Sequence, residues 1–247
     1  MTSSTIGQAY QGILTDEAIA TNRNRLLQGL PDEETAILDS ILEEVPITSK
    51  AVFAEAGSVI NEIHFPQTGV ISLVTVLKDG GVEAITVGND GVTGAAVING
   101  IRTTFFLMVG QIPGMSRRAP IADFMEALPR LPELRRRLNL YIQFSMDVAS
   151  QSSACNRMHV TEERCARWLL MSQDRCGRDE FELTQGFLSQ MLGVRRPGVT
   201  VAIGILERAG LIAHQRGLIA IRDRAGLEAA SCECYSFVKR RESELFG

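Results

Sequence analysis

The sequence predicts an α+β fold in three parts: an N-terminal β-barrel or sandwich, a long helix, and a C-terminal domain of short helices with a β-hairpin. Short strand-like runs separated by Gly, Pro, Asp and Asn fill residues 47–120, which favours a barrel or sandwich. After Pro132, apolar and small residues recur at spacings of three and four, which predicts a long helix. Two amphipathic helical patterns then flank Gly193, and an alternating segment follows them.

Length and composition are those of a globular protein with more than one domain. The chain has 247 residues, of which 45% are hydrophobic and 22% charged, with a net charge of −4. We expect a tail at residues 1–25, a β-rich domain at 26–131, the long helix at 132–158 and a C-terminal domain at 159–247. The first residues lack a signal peptide and no apolar run could span a bilayer, so we expect a cytoplasmic protein with no membrane partner.

The cysteine content argues against a disulfide framework. The chain has five cysteines, an odd number, and this fits a reducing compartment.

The N-terminal domain is predicted to begin with a helix over Leu30–Val45, with Pro31 in its first turn. Strands are then expected from the apolar runs that alternate with turn residues. These runs are Glu62–Pro66, Gly69–Leu77, Glu83–Val87 and Thr104–Val109.

A stripe along the long helix mixes apolar and small residues. Its members are Leu134, Leu138, Tyr141, Ile142, Ser145, Val148, Ala149 and Ser152. Such a stripe favours packing against the same helix of a second copy, and the alternative is burial against the chain's own domain. A further helix over Glu162–Arg175 is expected to place Trp168 in the core of the C-terminal domain, with a hinge near residues 157–160.

The segment 184–206 has the pattern of a helix-turn-helix. Thr184 is suited to cap the first helix, and Gly193 is placed where a sharp turn requires positive φ. Pro197 suits the first turn of the second helix because its fixed φ is helical. The alternating segment Leu211–Arg222, which turns at Arg216-Gly217, predicts a two-stranded wing.

Basic residues collect on the side of the second helix that the apolar pattern leaves free. That side carries Arg195, Arg196, Pro197, Thr200, Val201 and Arg208. Residues 185–224 hold six arginines against two acidic residues, a local charge of +4 within an acidic chain. This pattern indicates double-stranded DNA as a partner, whereas an ordinary helical hairpin is the alternative.

Together these motifs resemble the Crp/Fnr family of bacterial transcription regulators, strongly over Thr161–Asp223 and more loosely over Leu26–Leu128. The resemblance implies that the N-terminal domain is a sensor β-barrel of the jelly-roll type (a double-stranded β-helix) like that of cyclic-nucleotide-binding proteins. It also implies a homodimer that reads a palindromic operator, with RNA polymerase as a further partner if the protein activates transcription. Three recognition positions that commonly carry Arg, Glu and Arg in the family match Arg196, Pro197 and Val201, so two of the three differ. The expected DNA-binding residues are Gln185, Arg195, Arg196, Pro197, Thr200, Val201, Gln215 and Arg216.

The resemblance also locates a candidate ligand pocket in the barrel. Family members that bind cyclic nucleotides hold the ribose with a Gly-Glu pair and the phosphate with an Arg followed by Ser or Thr. Here Thr93-Gly94 stands in place of Gly-Glu, and Arg102-Thr103 matches the phosphate pair. The missing carboxylate disfavours a cyclic nucleotide, since a buried polar site without one partner binds poorly. No cofactor is therefore predicted, and a different small ligand or none at all stays open.

Metal sites and catalysis have weaker support in the sequence. No cysteine precedes Cys155, which argues against the N-terminal iron–sulfur cluster of fumarate-nitrate-type relatives. Cys232-Glu233-Cys234 is a close pair, but further ligands would have to come from elsewhere, so two structural cysteines and no metal are expected.

The sequence lacks a phosphate loop, a nucleophile elbow and a His-Glu-x-x-His motif, so an enzyme is not predicted. The alternative function is a small-ligand or cyclic-nucleotide sensor module whose output is not direct DNA binding.

Overall fold

The computed structural model describes residues 24–78, 80–215 and 217–246; most of the predicted N-terminal tail therefore lies outside the described residues. The helices are α1 (Asp32–Ile41), α2 (Ile121–Ala127), α3 (Pro132–Met158), α4 (Thr161–Cys176), α5 (Gln185–Leu192), α6 (Arg196–Arg208), α7 (Arg224–Ala230) and α8 (Cys234–Phe246). The strands are β1 (Glu43–Ile47), β2 (Val52–Ala54), β3 (Glu62–Pro66), β4 (Val70–Leu77), β5 (Gly80–Val87), β6 (Leu107–Ile112), β7 (Gly114–Pro120), β8 (Glu180–Glu182), β9 (Ile212–Gln215) and β10 (Leu218–Ile221).

Strands β1 to β7 form two antiparallel sheets, which we call the β-roll. One sheet has the order β1-β7-β3 and the other β2-β6-β4-β5. The prediction of a mixed fold with an N-terminal β-domain is confirmed. The sheets are separate rather than closed into one barrel, so the domain is an open roll.

The interior of the β-roll is apolar. Ile47 of the first sheet packs in one cluster with Ile71, Leu73 and Met108 of the second sheet. Because side chains alternate along a strand, the other face of β4 points away from this cluster, and Val70 and Val74 join the main core with the helices. The second sheet is thus packed on both faces.

The first helix is shorter than the predicted Leu30–Val45. It ends at Ile41, Leu42 is extended, and the chain enters β1. Pro46 explains the change, because the residue before a proline is disfavoured in the α region. Proline has no backbone N–H to donate, and it is tolerated in β1 because this strand lies at the edge of its sheet.

The long helix α3 spans Pro132–Met158, in agreement with the prediction. Proline at its first position fits, since that N–H has no partner within a helix. The buried carboxylate of Glu34 on α1 accepts hydrogen bonds from the backbone N–H groups of Glu133 and Leu134, both at 2.9 Å. This acid caps the start of α3, and the first and third helices are held together there.

Much of the apolar stripe on α3 packs within the chain. Leu134, Leu138, Tyr141 and Val148 are buried against neighbouring elements, which is the alternative that the sequence left open. The C-terminal helix α8 lies along α3, where Arg241 Nε donates to Asp147 at 3.1 Å. The large apolar side chains that remain exposed on α3 include Leu140, Met146 and Met158.

The C-terminal domain contains α4 to α8 and a small sheet. Trp168 on α4 is 5% exposed and lies in the main core, as predicted. Strands β9 and β10 form the expected hairpin, with Leu218 paired to Gln215. The sheet has the order β8-β10-β9, so a third strand that the sequence analysis missed supports the wing.

Candidate nucleic-acid interface

Helix α5 and the turn after it follow the sequence prediction. The Thr184 hydroxyl accepts a hydrogen bond from the backbone N–H of Phe187 at 3.2 Å and so caps the helix. Gly193 ends the helix with φ of 62°, the left-handed conformation that favours glycine. The turn therefore fixes how α6 leaves α5.

Helix α6 has one buried face. Val199, Ala202, Ile203 and Leu206 are each at most 2% exposed. Pro197 is the second residue of the helix, within the first turn as predicted. These contacts hold the helix axis firmly against the rest of the domain.

The opposite face of α6 is open to solvent. Arg195, Arg196, Pro197, Thr200 and Val201 are all exposed or partly exposed, and Val201 is 58% exposed although it is apolar. The structure brings together five of the predicted DNA-binding residues on one surface, at the N-terminal half of the helix. This is the half of a recognition helix that meets base edges.

Two polar contacts connect this face to its surroundings. The Thr200 hydroxyl donates to Gln185 Oε1 at 3.0 Å, which places the predicted Gln185 beside α6. At the other end of the helix, the backbone N–H of His214 on the wing donates to the Glu207 carboxylate at 3.1 Å. The wing is therefore attached to the C-terminal end of α6.

The guanidinium of Arg196 folds back over the first turn of α5. A Cβ atom placed on Gly186 would lie 3.0 Å from the Nη2 atom of Arg196. The absence of a side chain at Gly186 therefore provides the space that the Arg196 side chain occupies. A guanidinium on a flexible stem can also extend outward from this position, as a base contact requires.

Gln215 and Arg216 are the last two predicted residues. Gln215 is exposed at the end of β9. Arg216 lies outside the described residues.

The four candidate pocket residues lie in different environments. Thr93 and Gly94 are buried against β3, where the Thr93 N–H donates to the His64 carbonyl at 2.9 Å. Arg102 and Thr103 are exposed. Among the described residues, Thr93 Oγ1 and His64 Nδ1 have no hydrogen-bond partner although both are buried. Sequence matching alone did not anticipate His64 at this position.

The β-roll and the C-terminal domain share a buried ion pair that the sequence analysis also missed. Arg175 Nε on α4 lies 2.9 Å from the Asp90 carboxylate, and both side chains are nearly inaccessible to solvent. Nearby, the Arg178 guanidinium donates to the Pro113 carbonyl at 2.6 Å. No local signal connects residues so far apart in the chain, which is why sequence patterns could not reveal the contact.

A second feature that was missed is a group of potential metal ligands. Cys155 and His159 come next to Cys232 and Cys234, which the sequence analysis interpreted as structural cysteines. The spacing of Cys155 and His159, one helical turn apart, is the signal that would have pointed to them.

Three solved structures show the same fold at low sequence identity. FixK2 from Bradyrhizobium japonicum has a TM-score of 0.65 and 16% identity, covering 78% of this chain and 98% of its own. A putative transcriptional regulator of the Crp/Fnr family from Eubacterium rectale has a TM-score of 0.61 and 14% identity, over 83% of this chain and 96% of its own. A Crp/Fnr-family regulator from Thermus thermophilus has a TM-score of 0.59 and 19% identity, over 76% and 98%. No curated protein sequence matches the chain significantly.

A capped helix, a glycine turn, a second helix with one open face and a hairpin define a winged helix-turn-helix protein. Residues 163–230 match the family model of the Crp-like helix-turn-helix domain. The chain thus contains a Crp-like helix-turn-helix domain, and the fold of the whole chain is that of the solved Crp/Fnr-family regulators. Within the described residues, every helix is too short or too polar to cross a membrane.

Proposed function

We propose that the protein binds a palindromic operator as a homodimer in the cytoplasm and reads each half-site with α6. The observation that carries this proposal is the face of α6 described above, where polar and basic side chains are exposed while the opposite face is buried. A helix held in this way can enter a major groove without losing contacts with its own domain.

Base reading would depend mainly on Arg196 and Val201. An arginine can donate two hydrogen bonds to the O6 and N7 atoms of a guanine, and a valine can contact the methyl group of a thymine. Pro197 has no side-chain hydrogen-bonding group, so the cytosine contact that a glutamate provides in the family is lost. The operator should therefore differ from the one that the resemblance suggests.

Contacts to the phosphate backbone would position the helix. Arg195 lies directly before α6 and makes no side-chain cap of that helix, so its guanidinium is available to a phosphate. Gln185, Thr200 and Gln215 are polar groups at the edges of the same surface, and Arg216 at the wing tip is a further candidate from the sequence. Such contacts add affinity without sequence preference.

Dimerisation through α3 is supported by the side chains that intrachain packing leaves exposed. Leu140 is 40% exposed and Met146 is 63% exposed, although both are large and apolar. A two-fold axis along this helix would cover part of this exposed apolar surface and place two copies of α6 about one helical turn of DNA apart. If the protein activates transcription, RNA polymerase is the further partner.

We propose that the β-roll does not bind a cyclic nucleotide in the way that the family does. It responds to a different small ligand or to no ligand. Apolar side chains make up most of its interior, and Arg102 lies at the surface rather than in a buried pocket. An anion site would need converging donors in that interior.

Selection of genomic DNA fragments on the purified protein tests the proposal, first without ligand and then with cyclic AMP or cyclic GMP. We expect a two-fold symmetric site to be recovered without either nucleotide. A site recovered only with a nucleotide would mean that Arg102 and its loop form a working pocket. Failure to enrich any sequence would favour a sensor module whose output is not direct DNA binding.

Single substitutions separate base reading from phosphate binding. Arg196→Ala should lower discrimination at one operator position by about 1–3 kcal/mol, because a bidentate contact to guanine is lost. Arg195→Ala should instead weaken binding to all sequences and reduce the slope of log affinity against log salt by about 1. Both effects are measured by fluorescence anisotropy on operator variants at several salt concentrations.

Arg135→Ala is the matched control, since Arg135 is an exposed arginine on α3. Its substitution should leave both quantities unchanged. A uniform loss of affinity in Arg196→Ala would contradict the assignment of that residue to a base.

A further inference from the structure

Four potential metal ligands meet where α3 ends and α8 begins. Cys155 lies in the last turn of α3, and His159 follows that helix directly. Cys232 precedes α8, and Cys234 is its first residue. One ligand atom from each of the four lies within 4.8 Å of every other. These residues, which we call the Cys3His cluster, are far apart in sequence and are brought together only by the packing of α8 on α3.

Two distances within the cluster match those of ligands around one tetrahedral ion. Cys155 Sγ lies 3.5 Å from Cys232 Sγ, and Cys234 Sγ lies 3.6 Å from His159 Nδ1. Zinc–sulfur bonds of about 2.3 Å and zinc–nitrogen bonds of about 2.1 Å put sulfur atoms about 3.8 Å apart and sulfur and nitrogen about 3.6 Å apart. We propose that the Cys3His cluster is a structural zinc site.

The orientation of His159 supports this assignment. Its Nδ1 atom faces Cys234, while its Nε2 atom lies 3.1 Å from one carboxylate oxygen of Glu233 and 3.2 Å from the other. A proton on Nε2 that is donated to Glu233 leaves Nδ1 with a lone pair for the metal. A carboxylate behind the imidazole is the usual outer partner of a zinc-bound histidine. Here that carboxylate comes from the residue between the two cysteines.

Burial and charge around the cluster are also suited to a bound ion. The three cysteines are at most 5% exposed, and Gln151 Nε2 donates to Cys234 Sγ at 3.0 Å. Three thiolates and one divalent zinc carry a net charge of −1. Arg164 and Arg167 are each 6% exposed and both interact electrostatically with Cys155. Among the described residues, the Nε atoms of both arginines have no hydrogen-bond partner.

A cleft of about 500 Å³ adjoins one side of the cluster and is lined in part by Cys232, Glu233 and Arg224. An ion would enter the cluster from this side. With four protein ligands the coordination sphere is complete, so no position is left for a substrate. The site would join the end of α3, next to the start of the DNA-binding domain, to the start of α8.

Metal content of the full-length protein is the direct test. The reduced protein is stripped with a chelator, titrated with zinc sulfate, desalted and measured by inductively coupled plasma mass spectrometry. We expect one zinc per chain. Cobalt(II) in place of zinc should give the visible absorption bands of tetrahedral thiolate coordination with the same stoichiometry. These measurements use the unaltered protein and do not depend on DNA binding.

Variants assign the ion to the cluster. Cys155→Ala should abolish stoichiometric zinc binding, whereas Cys165→Ala, which removes a fully buried cysteine outside the cluster, should retain it. Glu233 is exposed, so Glu233→Gln should fold normally. Loss of its carboxylate behind the histidine should weaken zinc binding by about 10–100-fold.

The proposal is overturned if the reduced wild-type protein binds no zinc. Formation of a disulfide between Cys155 and Cys232 without any zinc uptake by the reduced protein would identify a thiol pair instead of a metal site. Unchanged zinc content in Cys155→Ala, or unchanged affinity in Glu233→Gln, would place the ion elsewhere.

Discussion

Glu83 is a partly buried carboxyl group on β5 that faces α4. The Ser72 hydroxyl donates to it at 2.9 Å and the Thr86 hydroxyl donates to its other oxygen. Burial raises its pKa above the ordinary value of 4.5, although Thr86, Ser72 and the charge of Arg175 oppose the shift. A carboxyl group with a raised pKa in the folded state binds its proton more tightly there. Its contribution to stability is therefore full below the ordinary pKa and is lost as the pH rises through the raised one.

Glu83→Gln should remove this pH dependence, because the amide is neutral at every pH. The free energy of unfolding of the variant, relative to that of the wild type, should increase as the pH rises above the ordinary glutamate pKa of 4.5. Urea unfolding at several pH values measures it. Glu126→Gln, at an exposed position on α2, is the control. A difference between Glu83→Gln and wild type that does not vary with pH would show that Glu83 keeps its charge throughout.

At this scale, local signals predicted the exposed residues better than the buried polar ones. The positions of Arg196 and Val201 followed from helical periodicity, because the apolar residues of α6 fix which face is free. The neighbours of Glu83 could not be predicted, since Trp168 and Arg175 reach it from a helix that begins far along the chain. The same applies to the Cys3His cluster, whose two halves come from separate segments.

The turn between α5 and α6 depends on one glycine. Gly193 has φ of 62°, and a Cβ atom there would lie 3.3 Å from the side chain of Val82 on β5. Gly193→Ala should therefore lower the free energy of unfolding by about 1–2 kcal/mol, from the left-handed backbone conformation alone.

Gly198 provides the matched comparison. It lies in α6, and a Cβ atom there would meet no other heavy atom within 4 Å. Gly198→Ala should stabilise the protein by up to about 1 kcal/mol, because alanine loses less entropy in a helix. Chemical denaturation of both variants measures the two effects. Equal changes of the same sign would refute the assignment of the turn to Gly193.

Among the elements, those with their own sequence signals were predicted well. Thr184, Gly193 and Pro197 mark the helix-turn-helix, and β3 has the expected bounds Glu62–Pro66. Strands β1, β2 and β7 were missed. β2 has three residues and β7 includes two arginines, so neither shows a clear apolar alternation. Their pairing with partners that are distant in sequence determines them.

The ion pair of Asp90 and Arg175 is one of the buried contacts that join the β-domain to the C-terminal domain. Removing one partner, as in Arg175→Met, leaves a buried charge without compensation and should cost about 3–5 kcal/mol. The double variant Asp90→Asn with Arg175→Met should lose less than the sum of the two single losses. Thermal and urea unfolding of the wild type, the two single variants Asp90→Asn and Arg175→Met, and the double variant complete the double-mutant cycle. Strictly additive losses would mean that the pair does not couple the two domains.

The glycine beside this pair limits how freely the two halves of the molecule can be recombined. A side chain on Gly88 would collide with the side chain of Arg175. A chimaera that joins this winged helix-turn-helix domain to the β-domain of another protein of this fold would need an equally small residue at the position of Gly88 and an acidic residue at the position of Asp90. Exchange of the helix-turn-helix domain between proteins of this fold therefore depends on two positions, Gly88 and Asp90, which lie in the β-domain and not in the domain that is exchanged.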